Sequence, residues 1–166
     1  TMGRDIGAAA DAGSTLWCSY LFRLNSQGTS GMSMRMGFGD LWANVKAAYN
    51  AQRTSVRYAG AETTTPTFGI ALNVNYLVIG KFTNVNAAGG GSGRLWLLTS
   101  SEYDVIKAGG ITESELDAQS VCAVSVTSAT QANFAVGGKV QFLISRAANQ
   151  NAVNLTLDEL RAGADL

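Results

Sequence analysis

Acidic side chains recur at every second position of one short segment, at Glu113, Glu115 and Asp117. On a β-strand, side chains two apart share a face, so this spacing would align carboxylates on one surface. Glycoside hydrolases use such pairs, about 5–5.5 Å apart in the retaining enzymes. Thr112 and Glu115, however, have the spacing of a helix capping box. On a helix, Glu113 and Asp117 would share a face that excludes Glu115. We expect this segment to be a solvated helical turn without catalytic activity.

Other common catalytic arrangements are excluded by the residue types. The sequence contains no histidine, so neither a Ser-His-Asp nor a Cys-His arrangement is possible. The glycine-rich run at residues 89–93 is not followed by a helix start, and the chain carries no nucleotide-binding fingerprint. We therefore expect the chain not to be an enzyme.

Aromatic side chains are the candidates for binding a sugar. They could stack on the apolar faces of pyranose rings, while asparagine amides bind the hydroxyls; the alternative is that they are ordinary core and rim residues. The aromatic candidates are Trp42, Tyr49, Tyr58 and Tyr103, and the asparagine candidates are Asn44, Asn50, Asn73 and Asn75.

The two cysteines, Cys18 and Cys122, both lie in apolar, strand-like runs. They are either two small buried hydrophobic side chains or one long-range disulfide, which requires Cα atoms within about 7 Å. We favour free thiols. Neither cysteine has a C-x-x-C partner, so zinc ligation is not expected.

The charge composition excludes some partners. Twelve basic and twelve acidic residues give a net charge of zero, and charged residues make up only 14% of the chain. Nucleic-acid binding requires a basic patch, and the closest basic pair in one stretch is Arg53 and Arg57. No apolar run approaches the ~20 residues that span a membrane. We expect neither a nucleic-acid partner nor a membrane span.

Alternating apolar residues predict an all-β chain. Met32, Met34, Met36 and Phe38 alternate with polar or small residues, which is typical of a strand with one buried face. We expect about ten short strands and at most short helices. The predicted strands lie at 16–24, 32–38, 42–49, 54–58, 75–83, 94–99, 121–127, 139–146 and 153–162, with a mobile connector at 87–93 between two of them. This pattern favours an antiparallel β-sandwich.

Three motifs in order resemble the laminin-G-like, concanavalin-A-like jelly rolls of bacterial secreted and surface proteins. They are LWCSYLF at 16–22, NYLVIGKF at 75–82 followed by RLWL at 94–97, and LDELRAG at 157–163. The resemblance implies one jelly-roll domain over residues 1–166. Because only residues 1–15 precede the first motif, the first strands are expected to be missing or differently built.

A jelly roll packs the apolar faces of two sheets about 10 Å apart. The natural candidates for that core are Trp17, Phe82, Trp96, Phe142 and Leu157.

The resemblance also implies a metal site. In some relatives the aspartate of the closing strand, here Asp158, helps to bind a structural calcium ion, which takes six to eight oxygen ligands. The alternative is that Asp158 bonds backbone amides and Arg161 pairs with a neighbour. No other cofactor is expected.

We expect a non-catalytic module that is secreted or displayed on a cell surface and binds a glycan. The alternative is a structural surface protein that assembles with copies of itself, since a chain without net charge has little electrostatic repulsion between copies. A glycoside hydrolase is the third hypothesis. The ligand itself is not identified by the sequence.

Overall fold

The chain folds into two packed antiparallel β-sheets, as shown by a computed structural model that describes residues 2–5, 11–26, 32–47, 52–66, 69–107, 111–134, 139–146 and 154–163. In chain order the elements are β1 (Met2–Asp5), β2 (Ser14–Ser26), β3 (Met32–Phe38), β4 (Leu41–Ala47), β5 (Arg53–Tyr58), β6 (Ala61–Thr64), β7 (Asn75–Val85), β8 (Gly91–Thr99), α1 (Ser100–Ile106), α2 (Glu113–Gln119), β9 (Cys122–Ser128), β10 (Lys139–Arg146) and β11 (Asn154–Gly163). The predicted all-β sandwich with short helices is confirmed.

The two sheets have six and five strands. Their spatial orders are β1-β10-β3-β4-β5-β6 and β11-β2-β7-β8-β9. The four segments of the three motifs lie on β2, β7, β8 and β11, which are consecutive neighbours in the five-stranded sheet. A strand, β1, also precedes the first motif and pairs with β10 at one edge of the six-stranded sheet. Within the described residues, neither helix is long and apolar enough to cross a membrane.

The core lies between the sheets and is built from alternating side chains. The methionine stripe of β3 is buried as predicted, and so are Phe82 and Phe142. Aromatic rings meet edge-to-face across this core, with centroids 6.0 Å apart for Phe38 and Phe82 and 5.1 Å apart for Tyr20 and Phe142. Such pairs add to the stabilisation that burial alone provides.

The prediction that Trp17 and Trp96 belong to this core is wrong. Leu95 and Leu97 point into the inter-sheet core, so Trp96 between them points to the opposite face of the sheet, where it enters a second apolar cluster. Trp17 packs on the same outer face. Leu157 is half-buried and packs against the margin of the main core.

The predicted hairpin of β7 and β8 is confirmed, and its turn requires glycine. The connector is shorter than the predicted 87–93, because residues 91–93 are already paired in β8. Gly89 and Gly90 have φ angles of 92° and 83°, a region that residues with a Cβ rarely adopt. A Cβ on Gly90 would also lie 1.9 Å from the carbonyl oxygen of Ser128. The glycine run therefore makes the turn between β7 and β8 and lets the chain pass close to the end of β9.

Cys18 and Cys122 are both free thiols. They lie on β2 and β9, and β7 and β8 lie between these strands. Three strand spacings of about 4.8 Å separate them by about 14 Å, which is too far for a disulfide.

We predict that Gly80→Ala destabilises the protein by about 1–3 kcal/mol, the usual cost of overpacking a core. The sheets approach closely here, and a Cβ on Gly80 would lie 2.8 Å from Cys18 Sγ and 2.9 Å from Ala43 Cβ. Urea unfolding measures the change. Adding Ala43→Gly should recover part of the loss, whereas a raised urea midpoint for Gly80→Ala alone would contradict the close approach.

We also predict that stability falls as the pH rises above 9. Burial raises the pKa of Cys18 from 9.0 to about 12, so between these values only the unfolded chain releases the proton. The free energy of unfolding should drop by about 1.4 kcal/mol per pH unit for such a group. Burial also raises the pKa of Tyr20 well above 10.0, so the interval from pH 9 to 10 isolates the thiol.

Cys18→Ala should flatten this slope relative to the parent chain. The measurement is urea unfolding at several pH values. An unchanged slope in Cys18→Ala would show that another group is responsible.

Candidate functional site

Two short helices cover part of the outer face of the five-stranded sheet. Both occupy the connection between the neighbouring strands β8 and β9. They bury a second apolar cluster against the sheet. Its buried members are Ile79, Trp96, Leu98, Ile106 and Leu116. This side of the sandwich is therefore shaped by the helices as well as by the strands.

Each helix begins with a capping box. Thr112 and Glu115 form the predicted one, with the Glu115 carboxylate accepting from the Thr112 backbone N–H at 2.9 Å. The Thr112 hydroxyl also donates to this carboxylate at 2.7 Å, and the hydroxyl and the backbone N–H together lower the pKa of Glu115. Helix α1 was not predicted, although Thr99 and Glu102 have the same spacing and form the same cap.

The acids of α2 bind the sheet. Asp117 Oδ1 accepts from Trp96 Nε1 at 2.7 Å and from Arg94 Nη2 at 2.5 Å. Glu113 forms an ion pair with Lys81. As the helical spacing predicted, Glu113 and Asp117 share a face and Glu115 does not. The run is a solvated helix, as expected, and Glu113 and Asp117 are 41% and 40% exposed; these two acids also attach α2 to β7 and β8.

We call these five side chains, Lys81, Arg94, Trp96, Glu113 and Asp117, the helix clamp. Its cations also lie over indole rings. Lys81 Nζ is 5.1 Å from the Trp17 ring centroid, and Arg94 Cζ is 5.1 Å from that of Trp96. The two indoles are themselves stacked, with centroids 6.1 Å apart. The carboxylates named as catalytic candidates thus have structural partners.

Beside the helices, the outer face of the sheet forms a groove of about 340 Å³. Its floor is mostly aliphatic and its walls are polar. The floor consists of Ser19 and Leu21 from β2 and of Asn75, Leu77 and Ile79 from β7. One wall consists of Ser100, Tyr103, Asp104 and Ile111, and the other of Glu159 and Arg161.

The second wall is produced by a β-bulge in β11. The register between β11 and β2 shifts between Asp158 and Arg161, and Glu159 has a φ of 50°. Asp158 Oδ1 accepts from the backbone N–H of Glu159 at 2.8 Å, which holds the bulge. Bulges redirect side chains at the edges of sheets, and this one places Glu159 and Arg161 along the groove.

The wall carboxylates are exposed and paired. Asp104 forms an ion pair with Lys107, and its side chain is 61% exposed. Glu159 lies 3.3 Å from Arg161 Nη2 and is 53% exposed. The groove therefore presents both charge signs above an aliphatic floor.

The four predicted aromatic residues do not form one platform. Tyr58 is buried in the core, and its hydroxyl donates to the Asn84 carbonyl at 2.9 Å, so it cannot contact a ligand. Trp42 lies on the outer face of the six-stranded sheet, with Arg35 over its ring. Tyr103 alone lines the groove, and Tyr49 lies outside the described residues.

The asparagines are similarly dispersed. Asn75 lies in the groove floor, opposite Arg23 in the adjacent strand. Asn73 accepts a hydrogen bond from that arginine at 3.4 Å. Asn44 lies on the other sheet, and Asn50 is outside the described residues. Of the amides named from the sequence, Asn75 is the one that lines the groove.

The calcium prediction for Asp158 stays a prediction. Its carboxylate bonds the backbone of the bulge and Arg161 pairs with Glu159, which is the alternative arrangement considered for this segment. In the part of the chain that the structure describes, no three His, Cys, Asp or Glu side chains are grouped to hold a metal ion.

We predict that Asp117→Ala lowers the free energy of unfolding by about 1–3 kcal/mol, the cost of leaving a buried donor without a partner. Trp96 is fully buried, and its indole N–H would lose its acceptor. The control is Asp104→Ala, which breaks an exposed ion pair and should lower the free energy of unfolding much less. Urea unfolding measures both changes. If Asp117→Ala and Asp104→Ala lowered the free energy of unfolding equally, the helix clamp would have no special role in stability.

Comparisons with known proteins give little similarity. No protein-family model matches the chain, and no curated protein matches it. A solved structure that it resembles is described as "Crystal structure of Scytalido-glutamic peptidase with a peptide based transition state analog". The two chains are 10% identical, the alignment covers 95% of this chain and 77% of the other, and the TM-score is 0.41. A similarity of this size carries no inference about activity.

Proposed function

We propose that the chain is a non-catalytic binding module that holds a saccharide in the groove of the five-stranded sheet. The observation that carries the proposal is the lining of the groove. Aliphatic side chains form most of the floor, the ring of Tyr103 stands at one wall, and hydroxyl, amide, carboxylate and guanidinium groups surround them.

This lining fits the two-sided chemistry of a sugar. The C–H faces of a pyranose ring are apolar and can pack against Leu77, Ile79 and the ring of Tyr103. Its hydroxyls both donate and accept hydrogen bonds. Asp104 and Glu159 are acceptors, Arg161 is a donor, and the Asn75 amide provides both. Binding sites of this size typically combine an apolar lining with a few polar groups.

The exposure and the ion pairs of the two wall carboxylates, Asp104 and Glu159, favour binding of a saccharide over its hydrolysis. The acid of a glycosidase stands among apolar neighbours. Asp104 and Glu159 are each more than half exposed, and each has a cationic partner two or three residues away in the chain. Both features support carboxylates that accept hydrogen bonds from sugar hydroxyls.

We place the module outside the cell, on the basis of its low charged fraction of 14% and of the jelly-roll resemblance. Free thiols are compatible with an oxidising environment when they are protected from oxidants. Cys18 is buried and Cys122 is half-buried. Their positions on strands that are not neighbours also prevent them from pairing with each other.

The alternative function, self-assembly into a surface structure, predicts a different particle size. Light scattering on purified chain distinguishes the two. A monomer that binds saccharide supports the module, whereas large ordered particles without added ligand support assembly.

We predict that Tyr103→Ala weakens saccharide binding by about tenfold or more, because an aromatic side chain of this kind contributes over 1 kcal/mol to binding. A saccharide array identifies the ligand, and titration calorimetry then measures the affinity. Tyr103→Phe should keep most of the affinity, since the ring remains.

The matched control is Val105→Ala. Val105 lies on the same helix, is 66% exposed and does not line the groove, so its substitution should leave affinity unchanged. Absence of binding to every saccharide on the array would contradict the proposal, as would full affinity in Tyr103→Ala.

A further inference from the structure

The outer face of the six-stranded sheet carries a cluster of cations. The two described helices pack on the other sheet, and the central strands of this face expose polar side chains. Its basic residues are Arg35 on β3, Lys46 on β4, and Arg53 and Arg57 on β5. We call these four side chains the basic face.

Little negative charge balances the basic face. Asp40, in the turn after β3, binds Arg57 at 2.7 Å, and Glu62 lies opposite Arg57 on β6. Within the described residues, no carboxylate lies at ion-pair distance from Arg35, Lys46 or Arg53. The acidic residues of the two helices lie on the opposite sheet, where Lys81, Arg94 and Lys107 pair with three of them.

Two of the cations are direct cross-strand partners. Lys46 pairs with Arg53 in the register of β4 and β5. Side chains in such positions have Cβ atoms about 5 Å apart, and like charges placed directly opposite destabilise a sheet. An anionic group bound between them would remove the repulsion and so would stabilise this part of the sheet.

The rest of the face offers hydrogen bonds. Its aromatic ring among the described residues of β3, β4 and β5 is that of Trp42, which is half-buried and has the guanidinium of Arg35 5.6 Å from its ring centroid. Beside it, Ser33, Asn44 and Ser55 are joined by hydrogen bonds across three strands. Single-stranded nucleic acids bind mainly by stacking bases on exposed aromatic rings. A hydroxyl-rich anionic chain fits this surface better.

We propose that the basic face binds an anionic polysaccharide, with Lys46 and Arg53 holding one anionic group and Arg35 an adjacent one. The shared chemistry is a polymer of sugars that bear carboxylate or sulfate groups. This site is separate from the groove, which lies on the other sheet, and it does not depend on the function proposed for the groove.

The test measures binding of the purified chain to three immobilised polymers: polygalacturonate, dextran sulfate and neutral dextran. The chain should bind one or both anionic polymers and not neutral dextran, and the comparison distinguishes carboxylate from sulfate. Binding should weaken steeply as salt is raised from about 0.05 to 0.2 M, because exposed charges are screened. Lys46→Gln combined with Arg53→Gln should reduce the affinity by about tenfold or more.

Lys107→Gln is the matched control for Lys46→Gln, because it removes one exposed lysine on the opposite side. It should leave the affinity for the anionic polymers unchanged. The double variant should melt no lower than the parent, since it removes a like-charge pair, and this shows that lost binding is not lost folding.

Three results would overturn the proposal. The first is equal weakening by Lys46→Gln and Lys107→Gln, which indicates unspecific attraction. The second is equally tight binding of an oligothymidylate through the same residues, which makes the face a nucleic-acid site. The third is self-association of the chain at low salt that the double variant abolishes, which makes a second copy the occupant.

Discussion

The hydrogen bond from the Trp96 indole to the Asp117 carboxylate holds together the side of the molecule on which the groove lies. Helices α1 and α2 have seven residues each, and isolated helices of this length are not stable in water. They persist because α2 is bonded to the sheet through Asp117 and Glu113 and because Ile106 and Leu116 are buried against it. The bond also gives a fully buried indole N–H its acceptor.

The groove exists because the helices cover the sheet incompletely. They pack over β7 and β8 and leave much of the outer face of β2 open, so that Leu21 and Leu77 become a floor. The bulge in β11 then places Glu159 and Arg161 along the side of the groove opposite the helices. Regular pairing of β11 with β2 would place fewer polar groups there, and the site would be an open apolar strip.

Local signals predicted most of the fold. The period-2 alternation of β3, the glycines between β7 and β8, and the Thr112–Glu115 spacing each report an interaction between residues close in sequence. The faces of Trp17 and Trp96 were predicted wrongly. A large aromatic side chain favours burial, but its size does not indicate whether it is buried between the sheets or beneath the helices. Alternation with Leu95 and Leu97 was the signal that could have placed Trp96 correctly.

The site was harder to predict for a physical reason. Its residues come from β2, β7, α1 and β11, and they meet only through strand order and a register shift. Neither property leaves a local pattern in the sequence. Tyr103 was named as an aromatic candidate, and Asn75 as an amide, but nothing in their neighbourhood indicated that they would line the same groove. The five charged and aromatic residues of the helix clamp were equally dispersed.

The connection between β8 and β9 contains one entire groove wall, whereas the inter-sheet core comes mostly from strands. The two strands are hydrogen-bonded neighbours, and a short hairpin could have joined them. Loops and insertions between core strands tolerate changes in sequence and length far better than the strands themselves. The chain is therefore organised as a scaffold with an exchangeable wall. Apart from Ile106, Glu113, Leu116 and Asp117, which bond or pack on the sheet, the residues of this connection could diversify in evolution, or be replaced by design, and alter what the groove recognises while the sandwich beneath stays the same.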